Sequence, residues 1–285
     1  MTNAAITVTG LRKHYGDKHA VDGLDLEVRT GEVFALLGPN GAGKSTTVEI
    51  LEGFRKRTAG EVSVLGIDPQ HGDNHWRERL GIMLQSTSDR GLLTAREAVL
   101  HASRLYPNPR DVDQTLEVVG LTDKAHSKPA TLSGGQRRRL DVALAIVGNP
   151  ELVFLDEPTT GFDPEARRQF WQLIESLRGD GTTVVLTTHY LDEADYLADR
   201  IAIIGAGKLI ALDTPVGLRA RASDATITWT EGGTRHEHST RSPSEFLRDL
   251  LSRHDGEVEQ LEVRHSSLED VYLQLTGELA QEATE

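Results

Sequence analysis

Gly38-Pro39-Asn40-Gly41-Ala42-Gly43-Lys44-Ser45-Thr46 fits G-x-x-x-x-G-K-[ST], the phosphate-binding P-loop. The apolar run Val33-Phe34-Ala35-Leu36-Leu37 before it reads as a buried strand, and Thr47-Val48-Glu49-Ile50-Leu51 after it as a helix. The glycines let the backbone curl so that successive N–H groups point at an anion, and the helix N-terminus adds the positive end of its dipole there. Lys44 is placed to reach the β- and γ-phosphates of a nucleotide, and the Ser45 hydroxyl to ligate Mg²⁺.

Working outward, Ile6–Val8 and Leu24–Val28 alternate like strands, and Glu61–Leu65 reads as another. This strand-rich beginning predicts an antiparallel β layer beside the nucleotide core. Arg77–Leu84 leads into Gln85. Thr94 to Leu105 is helical, with Thr94 as cap and Glu97 three residues on. Asp111–Val119 and Gln136–Val147 are further helices, so residues 86–149 form a helical subdomain inserted between two parts of an α/β core. The core resumes with the strand Leu152–Leu155, apolar throughout as a strand buried on both faces should be. A helix (Pro164–Arg178), a strand (Thr183–Leu186), a helix (Leu191–Ala198) and a strand (Ile201–Ile204) follow, an alternation that predicts a parallel sheet. Composition breaks near 217–225. Beyond it, strands at Thr226–Trp229 and Val258–Val263 and helices at Ser244–Leu251 and Ser267–Leu275 make a small α+β appendage, with a frayed tail from Gly277. The expected domains are residues 1–217 and 218–285.

The bulk numbers narrow the function classes. Across 285 residues, 31 Lys+Arg face 44 Asp+Glu, a formal net charge of −13. That balance opposes sequence-independent nucleic-acid binding and direct adsorption to an anionic membrane. With no cysteine, disulfides and thiolate metal sites are excluded. The N-terminus shows no secretory pattern, and no apolar run approaches the roughly 18 residues of a membrane span. A role at a membrane therefore requires another chain. The pairs His71/His75 and His236/His238 lack the further ligands of a closed metal site and read as solvated.

Three more elements accompany the P-loop. Leu132-Ser133-Gly134-Gly135-Gln136 opens a helix, Leu152-Val153-Phe154-Leu155-Asp156-Glu157 is a strand ending in two acids, and His189 stands just past the strand Val184-Val185-Leu186. In this order and spacing the chain resembles the ATP-binding subunit of an ABC transporter over about residues 4–215. The resemblance implies ATP and Mg²⁺ as cofactors. It makes Asp156 the Walker B aspartate that holds Mg²⁺, and Glu157 the base that polarises the attacking water. It makes Gln85 the Q-loop glutamine at Mg²⁺, His189 the switch histidine at the γ-phosphate, Tyr15 the aromatic that stacks on adenine, and Asp163 the D-loop aspartate. Phe162 stands where the family commonly has Leu. The resemblance also implies that the Leu132–Gln136 signature of one subunit closes over ATP held by the other, giving a dimer that drives an integral membrane permease from its cytoplasmic face.

The ending Ser267-Leu268-Glu269-Asp270-Val271-Tyr272-Leu273-Gln274-Leu275-Thr276-Gly277 resembles that of drug-exporter ATPases of the daunorubicin-resistance type. Gly161–Arg168 and Leu51-Glu52-Gly53 point the same way. Residues 86–104, with Leu92 and Leu93, are the expected permease dock. Two other readings stand beside the exporter. A soluble ABC ATPase acting on DNA or the ribosome would call for a second ATPase unit, a coiled-coil insert or a basic tract. An importer ATPase would usually carry a larger, β-rich C-terminal module.

Overall fold

In this computed structural model the described residues are 4–83, 92–221, 225–253, 258–264 and 267–282. Two compact units divide between Leu212 and Asp213.

The first unit opens with β1 (Ala4–Tyr15), β2 (Lys18–Arg29), β3 (Val33–Leu37), α1 (Lys44–Leu51), β4 (Ala59–Val64), α2 (Asn74–Glu78) and β5 (Leu80–Met83). The helices α3 (Ala95–Ser103), α4 (Val112–Val118) and α5 (Gly134–Ile146) come next. Then β6 (Leu152–Asp156), α6 (Pro164–Gly179), β7 (Thr183–Thr187), α7 (Leu191–Leu197), β8 (Arg200–Gly205) and β9 (Lys208–Asp213) complete it. Two sheets result. One is antiparallel, in the order β2-β1-β4; the other has six strands in the order β5-β6-β7-β3-β8-β9. The neighbours from β5 to β8 run parallel. β3 and β7 are buried at every position, as central strands covered on both faces must be. A single cluster joins the layers: Leu11, Leu24 and Val28 of the antiparallel sheet pack with Val48 and Leu51 of α1 and with Phe34 and Phe154 of the parallel strands. Each such side chain contributes about 1.5–3 kcal/mol on burial. Trp76 is sealed in the same cluster and donates its indole N–H to the Val64 carbonyl at 2.9 Å.

The expected α/β nucleotide core, antiparallel layer and helical segment are all present, and α3, α4 and α5 fall between β5 and β6. The cap read from Thr94 is a full capping box, with Glu97 returning its carboxylate to the Thr94 N–H. β1 and β2 are each longer than their sequence pattern. Register shifts between Val8 and Leu11 and between Lys13 and His14 break the alternation that marks a strand.

The second unit holds α8 (Pro215–Arg221), β10 (Ala225–Glu231), β11 (Thr234–Thr240), α9 (Pro243–Arg253), β12 (Glu259–Arg264) and α10 (Leu268–Glu282). Its antiparallel sheet runs β11-β10-β12. Ser267 caps α10, accepting from the Asp270 N–H at 3.1 Å. The frayed tail expected from Gly277 is not what forms: α10 continues to Glu282. Its last residues, Glu278-Leu279-Ala280-Gln281-Glu282, are strong helix formers that offset one interior glycine.

Candidate functional site

The P-loop leaves the buried end of β3 and turns into α1. Gly43 sits at the N-cap of α1 with φ 103°, and no side chain caps the helix. The first amides of α1 are therefore left without a side-chain acceptor, as an anion site requires. A Cβ at Gly43 would strike the Ala20 carbonyl oxygen, and one at Gly38 the Ile204 carbonyl oxygen, so both positions need glycine for close backbone approach. Lys44 is buried and donates to the carbonyl oxygens of Gly38 at 2.7 Å and Pro39 at 3.2 Å. Burial pulls its amine below the usual lysine range, while the Glu157 and Asp156 carboxylates pull it back up.

An open cavity of about 520 Å³ lies over this loop, lined by Tyr15, Lys18, Ala20, Asn40, Gly41, Gly43–Thr46, Arg55 and Glu157. Tyr15, at the end of β1, is 41% exposed, with the Lys13 amine 5.0 Å and the Arg55 guanidinium 5.4 Å from its ring centroid. Cations around an exposed ring suit a planar, polyanionic ligand. Ser45 also lines a neighbouring cavity of about 500 Å³, shared with Asp156, Glu49 and Glu52. Burial first, then the nearby Asp156 and Glu49 carboxylates, push the Glu52 carboxyl up to about 8.

The two acids end β6, beside the end of β7. Thr187 at the end of β7 donates its hydroxyl to Asp156 Oδ1, and its Oγ1 accepts from the Glu157 N–H at 3.1 Å. Glu157 itself adopts a left-handed backbone with φ 46°, strained for a residue with a Cβ. Its Oε1 lies 3.5 Å from His189 Nδ1 and its Oε2 3.4 Å from the Thr160 hydroxyl. Arg138 on α5 donates Nη2 to the carbonyl oxygens of Asp156 at 2.7 Å and Glu157 at 3.0 Å. A serine hydroxyl and a carboxylate facing one cavity are hard oxygen donors that fit Mg²⁺.

Lys44, Ser45, Asp156, Glu157 and His189 are thus brought together at the ends of parallel strands. Gln85 and the start of the expected permease dock lie outside the described residues. Leu92 and Leu93, within them, are 85% and 39% exposed. Asp163 caps α6, accepting from the Ala166 N–H at 2.7 Å. In the signature, Leu132 is buried while Ser133 and Gly134 are exposed at the start of α5. Ser133 and Gln136 form a capping box, and Phe162 packs against Phe170 and lies under Gly135. Leu132, Ser133, Gly134, Gly135 and Gln136 are not among the lining residues of the P-loop cavity. Sequence reading missed Thr187, Arg138 and Arg55. Thr187 and Arg138 act on the strand-end acids from distant segments, Thr187 on the Asp156 carboxylate and the Glu157 N–H and Arg138 on their carbonyls, which no linear motif announces. A larger cavity, about 1160 Å³, lies away from all of this, at the N-terminal ends of the strands beside Arg79, Glu151 and Thr182.

A family model described as ABC transporter matches residues 21–160. The daunorubicin/doxorubicin resistance ATP-binding protein DrrA of Streptomyces peucetius is 41% identical, over 96% of this chain and 92% of its own. The Nod factor export ATP-binding protein I of Rhizobium meliloti (strain 1021) is 37% identical, over 96% and 88%. A dimeric, post-hydrolysis structure of the ATP-binding cassette MJ0796 bound to ADP and Pi aligns with a TM-score of 0.67 at 28% identity, covering 73% of this chain and 98% of that one. With a phosphate loop, a strand-end acid pair and an uncapped helix, the chain belongs to the ATP-binding proteins of ABC transporters, ATPases coupled to transport.

Proposed function

We propose that this chain is the motor of an exporter for drugs or other hydrophobic compounds, working with a separately encoded permease. The long alignments with a drug-resistance and a Nod factor export protein support that direction. No helix among the described residues is long and apolar enough to cross a membrane, which fits a subunit held at the cytoplasmic face by its permease. The permease docks at Leu92 and Leu93, whose exposed apolar side chains suit a groove for a short coupling helix.

One observation carries the mechanism: the exposed signature helix start does not line the phosphate cavity of its own chain. In our reading it completes the cavity of a second copy, and ATP binds between the P-loop of one subunit (Gly38–Thr46) and Leu132–Gln136 of the other. Tyr15 stacks on adenine, an offset contact of roughly 0.5–1.5 kcal/mol. Lys44 leaves its loop carbonyls for the β- and γ-phosphates. Ser45, Asp156 and Gln85 would hold Mg²⁺, which neutralises phosphate charge when bound. Glu157 takes the proton of the attacking water, His189 orients it against the γ-phosphate, and Asp163 faces the partner at the interface. ATP contacts both subunits only in the closed state, so its binding favours closure and its hydrolysis favours release.

The test is Glu157→Gln in Mg-ATP, followed by solution scattering and phosphate release. A dimer with turnover lost is expected. A variant that stays monomeric in saturating ATP overturns the closed-dimer reading. Detergent pull-down from native membranes is expected to bring down a hydrophobic subunit in stoichiometric amount. Recovery with ribosomal or DNA-bound partners would favour a non-transport ATPase.

A further inference from the structure

The turn between β1 and β2 folds His14 back against His19, only five residues further along the chain. His14 and His19 are cross-strand partners, and their rings stack at a centroid distance of 3.9 Å with 16° between planes. Asp22 joins them: one ligand atom from each of His14, His19 and Asp22 lies within 4.8 Å of the other two. His14 Nε2 is buried with no hydrogen-bond partner. An imidazole nitrogen shut away from water without an acceptor or donor is a cost that the fold ordinarily avoids. The other neighbours of Asp22 are loose, with Arg12 Nε at 3.8 Å and Lys208 Nζ at 3.7 Å, both from exposed side chains. Such pairs hold little free energy and yield readily to a better partner.

We propose that His14, His19 and Asp22 form a site for a first-row transition dication, with Zn²⁺ as its test ion. Two imidazoles and a carboxylate are the ligand set such ions favour, whereas Mg²⁺ prefers oxygen alone. Tetrahedral ligands at about 2.0–2.2 Å from zinc stand roughly 3.4 Å apart with the ion in the plane of each imidazole, so closure draws the ligand atoms together and turns the two stacked rings out of parallel. The buried Nε2 of His14 gains the partner it lacks, and water fills the fourth position. The site clips the two strands at the hairpin that carries Tyr15, Lys18 and Ala20 into the phosphate cavity. It is distinct from Ser45 and Asp156, which would hold Mg²⁺ and lie on other elements.

The experiment is calorimetric titration of ZnCl₂ into the tag-free full chain, stripped with chelator and free of nucleotide and Mg²⁺. One ion per chain is expected, with a rise in Tm, because an ion that binds only the folded state stabilises it. Co²⁺ in place of Zn²⁺ is expected to give the absorption of a four-coordinate nitrogen–oxygen site. Removing one ligand should cost more than the 10–100-fold lost with outer-shell partners, so His19→Ala is expected to weaken binding at least about 100-fold. His19 is exposed, and a far-UV melt without metal checks that this variant folds. Absence of stoichiometric binding overturns the proposal. So does binding that survives in His14→Gln/His19→Ala, since that would assign the ion elsewhere, for instance to His71 and His75 with their neighbouring acids Asp68 and Glu78.

Discussion

Lys44 shows how a charge is kept ready at the phosphate loop. Its amine is buried and spends its hydrogen bonds on the loop's own carbonyls, at 2.7 and 3.2 Å. Those partners are neutral, so a phosphate displaces them with a net electrostatic gain. Lys44→Ala is expected to lower the ATPase rate by about 10²–10³, the usual cost of one preorganised donor to a developing anion. Steady-state phosphate release measures it, and a wild-type rate would remove Lys44 from the reaction. Thr187 makes a different case. Its one hydroxyl donates to Asp156 and accepts from the Glu157 amide, so it fixes both acids without lining the phosphate cavity. Thr187→Val keeps the volume and loses both bonds. The expected result is a stability loss of about 1–2 kcal/mol and a fall in kcat of roughly 10–100-fold from misplaced carboxylates. KM for ATP should hold, because the loop that binds phosphate is untouched. A parallel loss in KM would mean that Thr187 supports binding instead.

At the scale of elements, β4 is clasped at both ends by one ion pair. Arg57 precedes it and donates Nη1 and Nη2 to Asp68 Oδ1 and Oδ2 at 2.7 Å each, while its Nε reaches the Gly60 carbonyl at 2.8 Å. The Arg57 guanidinium holds the Asp68 carboxyl down at about 2, well below its unfolded value near 3.9. A depressed carboxylate pKa stabilises the fold above about pH 4, and that contribution is lost as pH falls from about 4 through 2. Asp68→Asn should therefore melt lower than wild type at pH 7, with the gap closing at pH 2–3. A constant gap in Tm across that range would show that the pair contributes through packing and not charge. Elements like the capping boxes at Thr94 and Ser133 were legible because the cap chemistry is local. β11 was not: Thr234–Thr240 is Thr-Arg-His-Glu-His-Ser-Thr, polar on both faces, and is ordered by its ladder to β10. β5 escaped for a related reason, being a short edge strand whose partner β6 lies far away in sequence, and β9, the other edge strand, follows β8 directly but is only partly buried and shows no clear alternation. The long β1 and β2 were read only in part, since shifts in register scramble a period of two.

For the whole molecule, the linear motifs foretell which residues meet around the phosphate loop, because each sits at the end of a parallel strand or the start of a helix. What they do not foretell is the buttressing from outside, such as Arg138 on α5 holding the carbonyls of Asp156 and Glu157. That link bears on the proposed dimer. It runs from the helix that starts with the signature to the strand end that bears Asp156 and Glu157 of the same chain. A partner's ATP pressing on the signature helix start would thus bear on the acids through Arg138, one turn into the same helix. If ATP bridges two copies in this way, bulk at Ser133 should block closure without harming the phosphate loop of its own chain. Ser133 is exposed, so the larger side chain has room, and the lost cap of α5 costs about 1 kcal/mol. Ser133→Arg placed in the Glu157→Gln background is expected to bind ATP with affinity within about twofold of the parent, since no residue of the loop changes. It should nonetheless remain monomeric by solution scattering at ATP levels where Glu157→Gln alone is dimeric. A dimer that persists would place the signature away from the interface, and lost ATP affinity in the monomer would place it in the cavity of its own chain.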